Sequence, residues 1–181
     1  SPPGDAAGLI RHCIERGSTL QERAPSAFCQ ETIRYLTSVD SLRDYHDYGP
    51  KQQKLPLEIL CGSQPNKWLQ ISWKAGFSGY GMPVSAMHTL GVVLYLLKFH
   101  RGPMDALRHS MWIGGDVDSI GALVVGMIGG SQGLNFDTQC SNDDGDHLPW
   151  WMLEQLEAVE HLMYVAEKFE LVFLEEGKGT H

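Results

Sequence analysis

Basic residues are scarce in this chain: 14 Lys and Arg stand against 22 Asp and Glu over 181 residues, a formal charge of −8. Nucleic-acid and anionic-membrane surfaces take their affinity from clustered Lys and Arg. No run of basic residues occurs, so neither partner is expected. The four cysteines, Cys13, Cys29, Cys61 and Cys140, are far apart with no Cys-x-x-Cys pair, which speaks against a zinc knuckle or a dithiol redox motif. They read as free thiols of a reducing compartment, and the chain as a cytoplasmic one. Long apolar runs are missing too. Val84 to Leu97 is interrupted by His88 and falls short of the roughly 20 residues that cross a bilayer. The opening Ser-Pro-Pro-Gly-Asp lacks the basic and apolar order of a signal peptide. Strand-type alternation does not persist anywhere, and no internal repeat is present. What remains is a soluble all-α chain of single-domain length over residues 1–181, long enough to bury a core.

Proline punctuates that helical chain. Pro25, Pro65, Pro83, Pro103 and Pro149 each precede apolar residues at three- and four-residue spacing, the placement expected of proline in a first helical turn. Phe28, Ile33 and Leu36 predict a helix over 26–37, and Trp68, Ile71 and Ala75 one over 66–75. Val84, Met87, Gly91, Leu94 and Tyr95 predict a largely apolar, buried helix over 84–99. Met104, Leu107, Met111 and Trp112 mark a shorter one that ends at Gly114. The repeat of Leu153, Leu156, Val159, Met163, Ala166 and Phe169 predicts one continuous helix over 149–173. Loops are expected near 38–56, 76–82 and 131–148.

Chemistry concentrates in residues 114–130. Asp116, Asp118 and Ser119 stand directly ahead of a small-residue helix that carries no other charge. In a turn, both carboxylates can bend toward one point and the serine adds a third oxygen, a donor set that suits Mg²⁺ or Mn²⁺. The competing reading is that Asp118 or Ser119 simply caps the helix. Gly114 and Gly115 form a turn without side chains, which lets a bulky ligand approach the backbone. Gly121, Ala122, Gly126, Gly129 and Gly130 suit close helix packing or a nearby ligand. Other chemistries fail on inspection. The Cys140 to Gly145 loop has cysteine where a calcium loop begins and Trp151 where it needs glutamate. Gly76-Phe77-Ser78-Gly79 is not a nucleophile elbow, and the eight histidines form no His-x-x-x-His pair.

Gly114-Gly115-Asp116-Val117-Asp118-Ser119-Ile120-Gly121-Ala122 resembles the Gly-Gly-Asp-Thr-Asp-Thr-Ile-Ala/Gly-Ala signature of the ADP-ribosylglycohydrolase family, that of the dinitrogenase-reductase-activating glycohydrolase. Gly76 to Tyr80 with Thr89-Leu90 resembles the family's Gly-x-Gly-Tyr-Val-x-x-Thr-Leu block. Leu148-Pro149-Trp150-Trp151 resembles its Ile-Pro-x-x-Trp. The ordered likeness covers residues 76–170, while residues 1–75 are similar only in being helical.

The resemblance implies a compact α-helical hydrolase that holds two Mg²⁺ or Mn²⁺ ions and releases ADP-ribose from protein side chains or related conjugates. It implies Asp116, Asp118 and Ser119 as metal ligands, and Phe77, Ser78, Gly79, Tyr80, Gly114 and Gly115 as substrate contacts. The family also supplies ligands from an N-terminal Thr-Asp-Asp, which this chain lacks. The expectation is therefore a C-terminal portion of the fold, with half of the metal site in a missing N-terminal segment or separate chain. Two alternatives stay open: a non-catalytic relative like the family's lens crystallins of the J1 type, and a helical interaction module in which the acids only cap.

Overall fold

The computed structural model describes residues 6–48, 54–62, 83–99, 102–133, 136–137 and 147–176. These are almost entirely helical. α1 spans Ala6–Arg23 and α2 Ala27–Asp40, followed by a 3₁₀ turn at Tyr45–Asp47. α3 covers Lys54–Cys61, α4 Ala86–Phe99, α5 Pro103–Ile113 and α6 Val117–Gln132. A two-residue parallel pairing of β1 (Phe136–Asp137) with β2 (Leu148–Pro149) leads into α7 (Trp150–Glu154) and α8 (Val159–Glu176). No helix among the described residues is long and apolar enough to cross a membrane.

α4 is the centre. Six consecutive residues, Gly91 to Leu96, are buried, which a helix sustains only when neighbours surround it. α1 and α2 pack together as a hairpin on one side, with α3 beside α2; α5 and α6 pack together on another, and all five touch α4. The main core joins Val39, Leu60, Val92, Val93, Tyr95 and Leu96 to Ala106, Ile113, Ile120, Val124 and Ile128. Ile120, Val124 and Ile128 recur every four residues and so put one stripe of α6 inward. A smaller cluster of Ile10, Leu36 and Leu94 seats α1. Gly91 permits the closest approach: a β-carbon there would run into the Tyr35 ring. The Tyr35 hydroxyl donates to the Leu60 carbonyl at 2.9 Å. Lys98 Nζ closes α2 by donating to the Asp40 carbonyl at 2.6 Å, where a cation also meets the negative end of the helix.

The all-α expectation stands, and Pro103 opens α5 as its position suggested. Three details differ. The loop over 38–56 is shorter, because α2 runs to Asp40 and α3 starts at Lys54. α1 is a helix that the apolar spacing did not single out, and it is built on Ile10, Cys13 and Ile14. The helix over 149–173 is two helices: Ala158 takes φ 56°, a left-handed conformation that ends the periodicity between α7 and α8. The segment 66–75 lies outside the described residues. Burial pushes the Cys61 thiol up to about 12, so this cysteine is an inert core residue.

Candidate functional site

The acid pair brackets the start of α6: Asp116 closes the three-residue junction that follows α5, and Asp118 lies in the first turn of α6. α5 ends because Gly114 turns to φ 78°, a conformation open to glycine, while its N–H still donates to the Ser110 carbonyl at 3.1 Å. Gly115 follows at φ 86°. Asp116 then takes φ −78° and ψ 60°, and the Val117 N–H donates across it to the Gly115 carbonyl at 2.9 Å. That is an inverse γ-turn with Asp116 at its apex. The Asp116 carbonyl accepts the first helical bond of α6, from the Ile120 N–H at 3.2 Å.

Asp116 is thus the N-cap by position, ahead of the Asp118 or Ser119 expected from sequence, yet its side chain makes no capping hydrogen bond. Its Oδ1 instead accepts from Ser119 Oγ at 3.0 Å. Hydrogen bonding with the Asp116 carboxyl, and with the N–H groups of Ser119 and of Asp118 itself, holds the Asp118 carboxyl below the usual carboxylate range. Asp118 and Ser119 are exposed and Asp116 half-buried, so the group is open to solvent. The structure brings Asp116, Asp118 and Ser119 together beside Gly114 and Gly115. Phe77, Ser78, Gly79 and Tyr80 lie outside the described residues.

Behind the turn, Gly121 lets α6 close on α5: a β-carbon would stand 2.9 Å from Leu107 Cδ1 and 3.7 Å from Ser110 Oγ. Gly126 and Gly130 meet no atom within 4 Å among the described residues. Among the described residues no group of three or more His, Cys, Asp or Glu side chains is placed to hold a metal. The turn offers two carboxylates and a hydroxyl, which is part of a coordination shell and not a whole one.

Sequence reasoning missed a different convergence. His46 Nε2 and His109 Nε2 come within 3.1 Å, although 63 residues separate them. A search for His-x-x-x-His spacing looks along one helix and has no signal for such a pair. Comparisons of the chain with protein-family models, with curated proteins and with solved structures find no match.

Proposed function

We propose that the chain carries part of the active site of a metal-dependent ADP-ribosylglycohydrolase, which removes ADP-ribose from modified protein side chains or related conjugates. The reading rests on one observation. Ser119 and Asp118 both turn onto the Asp116 carboxyl at the mouth of a two-glycine turn, so three oxygens share a point that a bulky anionic ligand can reach over bare backbone. Asp116, Asp118 and Ser119 would hold a share of a Mg²⁺ or Mn²⁺ pair, with the remaining oxygens from a separate segment or chain. When bound, the ion would order the ribose hydroxyls and lower the pKa of a water for glycosidic cleavage. Gly114 and Gly115 offer the backbone surface beside it. The N-terminus of α6 favours negative charge nearby, as in a phosphate of ADP-ribose.

A second reading has its own support. The N–H groups that meet Asp118 are those a helix start leaves without partners, so the acids would serve α6 alone. Titration of Mn²⁺ into the protein, followed by ADP-ribose, separates the two. The metal reading expects Asp116→Asn to weaken Mn²⁺ binding by about tenfold or more. Binding unchanged in that variant overturns it. The capping reading expects no metal effect and a loss of about 1–2 kcal/mol in the double alanine variant.

A further inference from the structure

We propose that His46 and His109 form a binding site for a divalent transition-metal ion, separate from the acid turn. The two Nε2 atoms are 3.1 Å apart, while the ring centroids are 5.2 Å apart and the planes cross at 84°. The rings therefore point at each other through their nitrogens and do not stack. An ion about 2.05 Å from each nitrogen would see them at an angle of about 100°, inside the range that Zn²⁺, Cu²⁺ and Ni²⁺ accept.

The opposite face of His109 is already arranged for that role. Its Nδ1 faces the Asp105 carbonyl at 2.9 Å and Asp105 Oδ1 at 3.3 Å. Both partners accept only, so Nδ1 carries the hydrogen and the Nε2 lone pair is turned toward His46. A histidine whose second nitrogen donates to a carbonyl or carboxylate is the usual form of a metal-bound imidazole. In the metal-free protein His46 Nε2–H fills the gap as donor. On binding, that hydrogen moves to His46 Nδ1, the ring stays neutral, and the ion takes its place between the two lone pairs.

The approach of His46 is built into the fold. Asp44 Oδ1 accepts from the His46 N–H at 3.0 Å and shapes the 3₁₀ turn. Tyr45 lies against Trp112 of α5 with centroids 3.6 Å apart and ring planes tilted by 47°, and Tyr95 of α4 donates to the Arg43 carbonyl at 3.2 Å. The turn that carries His46 is thereby fixed against the helix that carries His109, and little reorganisation precedes binding.

Calorimetric titration of Zn²⁺ into the full chain tests the site, with Cu²⁺ electron paramagnetic resonance as a second readout. The expected result is binding that falls by about tenfold or more in His46→Gln and in His109→Gln, with hyperfine coupling to two imidazole nitrogens in the parent and one in each variant. His161→Gln and Asp116→Asn leave the affinity of this site unchanged. Equal affinity in the parent, His46→Gln and His109→Gln overturns the proposal, as does a Cu²⁺ spectrum that keeps two nitrogens in both variants. Far-ultraviolet circular dichroism of the folded variants separates lost ligands from lost structure. A failure here leaves the Asp116 reading untouched, because no residue is shared.

Discussion

The α5–α6 hairpin and the α7–α8 segment have similar apolar spacing but different surroundings. In the hairpin, Ala106, Ile113, Ile120 and Val124 are fully buried against α4 and each other. In α8, Leu162, Met163, Tyr164 and Val165 are about half exposed at 48–55%. Within the later segment Trp150 Nε1 donates to Glu154 Oε1 at 2.9 Å, and Lys168 lies over the Tyr164 ring at 5.3 Å. An apolar stripe specifies which face of a helix wants cover. It does not specify what provides the cover, and most helical stability comes from that packing.

Substitution in the two regions gives the sharpest contrast. Ile113→Ala should cost about 2–5 kcal/mol in chemical denaturation, since it opens a cavity where α5, α6 and the core meet. Met163→Ala on α8 should stay within about 0.5 kcal/mol. Equal costs at the two positions would remove the distinction drawn between the regions.

The break between α7 and α8 is tested by Ala158→Gly. With φ at 56°, glycine should stabilise by about 0.5–1 kcal/mol, because the left-handed strain on alanine is relieved. In a continuous helix the same change would cost about 1 kcal/mol. The sign of the shift in melting temperature therefore decides between two helices and one.

The smallest effect belongs to the packed side. His88 on α4 has a buried Nδ1 with no hydrogen-bond partner among the described residues, and burial of the ring holds its pKa below the ordinary histidine value, against an opposing pull from Glu31. The unfolded chain then binds more protons than the folded one as the pH passes below about 6.5. The contribution is complete above that value and is lost as the pH falls through the folded-state pKa. His88→Gln should flatten the fall in denaturation midpoint between roughly pH 7 and 5.5. An unchanged slope would mean that His88 is solvated as freely as a surface histidine.

Much of the fold was legible. Proline positions located the starts of α2 and α5, and the apolar density of 84–99 marked α4 as the buried helix. The junction at 114–119 was legible as a place where oxygens gather, since Gly-Gly-Asp-x-Asp-Ser is a local pattern. Which oxygen meets which was not: the inverse γ-turn moved the cap position to Asp116 and left its side chain to Ser119. The split of the last helix was also illegible. Glu154 to Ala158 are all acceptable helix residues, and nothing in their spacing announces a left-handed alanine.

The sequence by itself determined the helical class, the apolar central helix and the grouping of Asp116, Asp118 and Ser119, because periodicity and short-range spacing are local properties of a chain. Only the tertiary structure decided that Gly91 lies against Tyr35, that His46 meets His109, and that α6 is packed where α8 is exposed. Those outcomes depend on residues distant in sequence arriving at one place, and the packing of the whole core sets that arrival.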